Sequence, residues 1–123
     1  MALDMIGGAS VVFPDQRGLY YGGAWHDAAG GAVQETSSPS TGQSLGHVAW
    51  ADAADVDAAV RAALAGSREW RRVQPLERGR ILREATSIIR ANGRELALID
   101  AADCGNPVAE MVQDAEIAAI SLE

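Results

Sequence analysis

The spacing of apolar residues changes at Asp52, and this change constrains the architecture more than any other feature of the chain. Up to Trp50 the pattern suits a period of two; beyond Asp52 it recurs near 3.6, so a β-rich part gives way to helices. In the first part, Leu19-Tyr20-Tyr21 and Ala24-Trp25-His26 flank Gly22-Gly23, a pair able to supply positive φ, and read as a hairpin. Asp27 to Gly31 reads as a polar loop, Ala32 to Thr36 as a modest strand, Ser37 to Gly42 as a tight turn and Leu45 to Trp50 as a further strand.

In the second part Asp52 caps a helix with inward positions Val56, Ala59, Val60, Ala63 and Leu64, closed by Gly66. Pro75 opens a second helix carrying Ile81, Leu82, Ala85, Ile88 and Ile89, ended by a left-handed cap at Asn92-Gly93. A third spans Glu95 to Ala102 and stops at Cys104-Gly105. The fourth starts with Asn106 as N-cap and Pro107 in the first helical position. Its residues Val108, Met111, Val112, Ala115, Ala118, Ala119 and Leu122 form one apolar face that requires a partner. No Gly, Asn or cation closes this last helix, and Glu123 adds negative charge to the negative end of its dipole. The expectation is a chain cut short, with the covering polypeptide beyond residue 123. The fold class that follows is α+β, antiparallel hairpins and then about four helices, in one segment from 19 to 123 behind a flexible leader at 1–18.

Composition narrows the function. Apolar residues make up 48% of the chain but lean on Ala, and aromatics only 5%, so any core buries little area per residue. The net charge of −7 and the lack of a basic stripe argue against nucleic acid. All ten cationic residues are Arg, which excludes Schiff-base chemistry within these residues. The single Cys104 closes no disulfide within the chain and fits a reducing, cytoplasmic setting. No apolar run reaches the length of a membrane helix, and the opening residues, with Asp4, Gly7-Gly8 and no basic start, do not read as a signal peptide.

Candidate chemistry has a plainer reading at each position. Cys104 lies beside Asp103, which disfavours a thiolate, and has no nearby His or Lys, so it reads as a packing or turn residue. His26 and His47 fall on different strands without ligand spacing and read as structural or surface groups. Gly7-Gly8 and Gly22-Gly23 lack the context of a phosphate cradle. Asp52, Asp55 and Asp57 suit a helix entry, and Arg68, Arg71 and Arg72 a solvated cluster around Trp70.

The order of the pieces nevertheless carries a resemblance. Tyr21-Gly22-Gly23-Ala24-Trp25 is similar to a Tyr/Phe-x-Gly-Gly-x-Trp hairpin, and Ser38-Pro39-Ser40-Thr41-Gly42 to an Asn-Pro-Ala/Ser-Thr-Gly turn. The run from Asp52 to Val60, then Trp70, Pro75-x-Glu77-Arg78, Ile81-Leu82, Glu95-Leu96-Ala97 and Gly105-Asn106-Pro107 follow in matching order. Together they resemble the N-terminal portion of the NAD(P)-dependent aldehyde dehydrogenase superfamily. One departure is Asn106, where that family usually has Lys.

The resemblance implies a complete enzyme in which a thiolate attacks an aldehyde, hydride passes from the thiohemiacetal to NAD or NADP, and water releases the acid. It places the catalytic cysteine, the glutamate base, the oxyanion asparagine and the dinucleotide site after residue 123, so none is expected here and Cys104 does not match the catalytic position. The implied role is an incomplete part of the coenzyme domain, bracing the dinucleotide fold of an enzyme that is a homo-oligomer when complete. Thr36, Ser37 and Asp114 resemble contributors to a structural monovalent cation site. The alternative is a free-standing, non-catalytic module that docks through an exposed apolar helix face; a small metal or redox protein around Cys104 and the histidines is disfavoured by their spacing.

Overall fold

The computed structural model describes residues 2–6 and 9–123; Met1, Gly7 and Gly8, and with them the reading of Gly7-Gly8, lie outside the described residues. Six short strands come first: β1 (Ala2–Ile6), β2 (Ala9–Val12), β3 (Leu19–Tyr21), β4 (Ala24–His26), β5 (Val33–Ser37) and β6 (Ser44–Ala49). Four helices follow: α1 (Ala53–Arg72), α2 (Pro75–Ala91), α3 (Gly93–Cys104) and α4 (Val108–Ile120). The strands pair in sequence as three two-stranded sheets, β1 with β2, β3 with β4 and β5 with β6, so the α+β class holds.

The chain divides into two units. The first combines Met1–Phe13, Ser37–Leu45 and Pro75–Glu123. In it β1 and β2 run antiparallel, with Leu3 opposite Val11. Val11, Leu45 and Ala102 are buried together, and Phe13, Leu98 and Ile99 pack against them. Within the stretch read as a leader, Val11 is thus buried and Phe13 packs beside it.

A second cluster joins Ala97, Ala101 and Met111, with Val108 against it, where α3 meets α4. Thr86 of α2 is 1% exposed, and its hydroxyl donates to the Ala119 carbonyl of α4 at 3.2 Å. α3 ends at Gly105, whose φ of 80° is left-handed and whose amide donates to the Ala101 carbonyl at 3.0 Å. A Cβ on Gly105 would lie 3.0 Å from Pro39 Cγ, so both backbone and space ask for glycine.

Two helix boundaries differ from expectation. Asn92 has φ −111° and no left-handed cap forms; α3 begins at once at Gly93, because the Asn92 amide and side chain already bond carbonyls of α2. Pro107, not Asn106, is the N-cap of α4, and Asn106 turns its Nδ2 toward Met111 Sδ at 4.0 Å. The expected apolar face of α4 is partly covered within the unit. Met111 and Ala119 are buried, whereas Val112 and Ala118 remain exposed, as do Ile117 and Ile120 off that face. The helix end also finds its cation elsewhere: Arg90 of α2 pairs with both Glu116 and Glu123.

The second unit comprises Pro14–Thr36 and Gly46–Gln74. Its hairpin sets Tyr20 opposite Trp25, with ring centroids 5.0 Å apart, and turns on Gly22 (φ 61°) and Gly23 (φ 81°), the two positive values that a tight hairpin needs. α1 opens with a reciprocal cap. Asp52 accepts from the amides of Ala54 and Asp55 at 2.7 and 3.1 Å, while the Asp55 carboxylate accepts from the Asp52 amide at 3.0 Å. Asp55, 4% exposed, also accepts from the Ala29 amide at 3.0 and 3.2 Å, tying the loop after the hairpin to the helix start.

Gly66 does not close α1, which continues to Arg72; a single interior glycine costs a helix about 1 kcal/mol, too little to stop one capped this well. The inward face is also rotated from the expected one. Asp55, Ala58, Ala59 and Ala62 are sheltered, and Val56, Val60 and Leu64 face outward, because the hairpin approaches the alanine side: a Cβ on Gly22 would stand 3.5 Å from Ala62 Cβ.

Asp55→Ala removes half of the cap and strands the Ala29 amide, so chemical denaturation should show a loss of about 2 kcal/mol. Gly105→Ala should cost about 1–2 kcal/mol in the same measurement, whereas Ala118→Ser on the exposed side of α4 should change it by under about 0.5 kcal/mol.

Candidate functional site

The residues with chemical potential are dispersed over the elements that hold them. Cys104 closes α3 and is exposed; its Sγ donates weakly to Met111 Sδ at 3.8 Å, a packing contact at the helix end. His26 stacks on Tyr21 with centroids 4.0 Å apart, and its Nε2 lies 3.2 Å from the Tyr21 carbonyl. A carbonyl only accepts, so this contact holds the ring proton on Nε2 and leaves His26 a structural part of the hairpin. His47 is exposed on β6, away in sequence and strand from His26. No group of three His, Cys, Asp or Glu side chains that could hold a metal occurs among the described residues.

The cation candidates are distributed in the same way. Thr36 is half-buried on β5 in the second unit; Ser37, the last residue of β5, and Asp114, on α4, belong to the first. After Ser37 the chain makes a closed turn: the Ser38 amide donates to the Gln43 carbonyl and the Gly42 amide to the Ser38 carbonyl, both at 2.8 Å. Ser38 is buried and its hydroxyl meets that of Ser40 at 3.1 Å. Asp114 instead lines an open depression of about 340 Å³ shared with Asp100, Ile89, Leu96, Met111 and Ala118, all from α2, α3 and α4. Neither Thr36 nor Ser37 lines it.

Electrostatics point away from anion binding. Every helix carries an acidic residue in its first turn: Asp55 in α1, Glu77 in α2, Glu95 in α3 and Glu110 in α4. A carboxylate there satisfies the positive end of the dipole and repels a phosphate. The amides of Ala54 and Asp55 at the start of α1 are already taken by Asp52.

Arginines serve ion pairs across exposed surface. Arg80 bridges Glu77 and Glu84 on α2, and Arg72 pairs with Glu69 on α1. Arg90 bridges α2 to the end of α4, 2.8 Å from Glu116 and 2.6 Å from Glu123. Its hydrogen bond to Glu116 holds that carboxyl below the usual range, and the pairing raises Arg90 in turn. Such a contact between residues 26 and 33 positions apart leaves no local signal in a sequence, which is why it was not anticipated.

The family model for the aldehyde dehydrogenase family matches residues 25–123. A curated relative, aldehyde dehydrogenase tropH of Talaromyces stipitatus, is 42% identical over 110 residues, which cover 89% of this chain and 21% of that protein. Among solved structures, an aldehyde dehydrogenase from Brucella melitensis biovar abortus 2308 aligns with a TM-score of 0.85 at 28% identity, over 97% of this chain and 24% of that one. PnpE, solved in complex with nicotinamide adenine dinucleotide, aligns with a TM-score of 0.82 at 32% identity, over 87% of this chain and 22% of its own. The chain belongs to the aldehyde dehydrogenase family. It spans about a fifth of the length of the curated relative it matches.

Because the Glu116 carboxyl is lowered by folding, its contribution is present above the unfolded carboxylate value and is lost as pH falls through the lower, folded one. Arg90→Gln should therefore lower the melting temperature near neutral pH, with the gap to the parent closing on acidification; melts over an acidic pH series test this.

Proposed function

We propose that this chain is the N-terminal scaffold segment of an NAD(P)-dependent aldehyde dehydrogenase that oxidises an aldehyde to a carboxylic acid, and that these residues alone are catalytically inactive. The observation that supports this most directly is the family match over 25–123 in a chain spanning about a fifth of its relative. The nicotinamide cofactor, when bound to the complete enzyme, supplies the hydride acceptor; that PnpE was solved with nicotinamide adenine dinucleotide favours this choice. The residues described here supply none of the reacting groups: Cys104 lacks an activating base, and the acidic helix starts disfavour the pyrophosphate.

The work of this segment is mechanical. The capped α1 and the hairpin tied to it by Asp55 form one brace, and the α2, α3 and α4 group with β1 and β2 forms another. The partner of both is the remainder of the dehydrogenase chain, within a cytoplasmic homo-oligomer. Thr36, Ser37 and Asp114 stay in this proposal as contributors to a monovalent cation site of the complete chain, since hydroxyl, carbonyl and carboxylate oxygens are the donors a hard cation takes.

The purified chain, supplied with NAD or NADP and a panel of aliphatic and aromatic aldehydes, should form no reduced nicotinamide. Steady turnover that disappears in Cys104→Ser would overturn the proposal.

A further inference from the structure

The sequence holds two asparagines, and their followers differ in the one respect that asparagine chemistry depends on. Asn92 precedes Gly93, whose amide nitrogen carries a proton and has no side chain beside it. Asn106 precedes Pro107, whose nitrogen has no proton to lose. Asn92 is exposed, the single residue between α2 and α3, and it lines an open depression with Ser10, Arg94 and Glu95, so solvent reaches its side chain. Among the described residues no acceptor takes the Gly93 N–H. What holds the joint closed is Asn92 itself. Its Nδ2 donates to the Ile88 carbonyl at 2.8 Å, its own amide reaches the Ile88 and Ile89 carbonyls at 3.2 Å, and its ψ is 10°.

We infer that Asn92 is a covalent modification site, at which opening of the α2–α3 joint lets the side chain lose ammonia and convert to aspartyl and isoaspartyl forms. The Gly93 nitrogen gives its proton to hydroxide and bonds to Asn92 Cγ; the Cγ–Nδ2 bond breaks and ammonia leaves, closing a five-membered imide. Water then adds to either imide carbonyl and opens the ring, so asparagine plus water yields a carboxylate plus ammonium, with no oxidant or reductant. Ring closure moves ψ away from 10° and takes Nδ2 off the Ile88 carbonyl, so the folded joint must open first. Either product adds one negative charge to the formal −7 and removes the donor to Ile88. The isoaspartyl form also routes the backbone through the side-chain carbon, which lengthens the link between the two helices. This inference is independent of the reading under Proposed function.

The test incubates the 123-residue chain at mildly alkaline pH for several weeks, with and without guanidinium, and follows its mass, its isoelectric point and the peptide that changes. Asn92 should gain one mass unit and the chain shift to the acidic side, about tenfold more slowly without denaturant than with it, while Asn106 stays intact in both. Gly93→Ala should slow the reaction about tenfold, since a methyl beside the attacking nitrogen restricts its approach. That variant keeps the fold, because a Cβ at 93 stands 3.8 Å from Ala115 Cβ, an ordinary contact, and alanine is the better helix former. Asn92→Gln, whose extra methylene misplaces the amide carbon, should abolish the change. An unaltered Asn92 in the folded chain, equal rates with and without guanidinium, an unchanged rate in Gly93→Ala, or the same mass gain in Asn92→Gln each overturns the inference.

Discussion

Ala97, Ala101, Ala102 and Ala119 are among the most sheltered residues of the helical unit, and what the rest of that unit can do follows from their size. Alanine lets helices approach closely but removes little apolar area from water per residue, at about 25 cal/mol per Å². The interior is therefore filled by small side chains, with Val11, Leu45 and Met111 as the few larger ones, while Leu76, Ile88, Ile117 and Ile120 stay outside. Polar contacts carry a correspondingly larger share of specificity. Thr86 registers α2 against α4 through the Ala119 carbonyl, and Arg90 pins the end of α4 from the outside.

The same economy shapes the other unit, where a charged residue sits at the centre. Asp55 is buried yet never unpaired, since the amides of Asp52 and Ala29 both donate to it. A buried carboxylate bonded in this way fixes geometry more than it adds stability. It sets where the loop after the hairpin meets the helix, and so it decides which side of α1 is left facing out.

Periodicity and caps made most of the elements readable in advance. The hairpin at Gly22-Gly23, the Asp52 cap, the start of α2 at Pro75 and the left-handed stop at Gly105 are local signals and appear where the residues indicate. What periodicity cannot supply is phase. On α1 it identified an apolar line, and the larger residues were assigned inward, but the hairpin covers the alanine side. Gly66 failed as a stop signal because a well-capped helix outweighs one interior glycine, whereas α2 does end before Asn92-Gly93, without the left-handed cap. No motif in the sequence marked a site around Cys104, His26 or His47; in the structure Cys104 meets Met111 and His26 stacks on Tyr21. The family, by contrast, was readable from the order of short motifs, and the match over 25–123 bears that out.

The Asp55 tie has a bearing on how the chain is made. A polypeptide leaves the ribosome from its amino end, so the loop around Ala29 emerges 26 residues ahead of the carboxylate that later claims its amide. Until that carboxylate arrives, water alone can hold the loop's free N–H. The hairpin is thus synthesised before its anchor, and its final seat is set only when the first turn of the following helix winds up behind it.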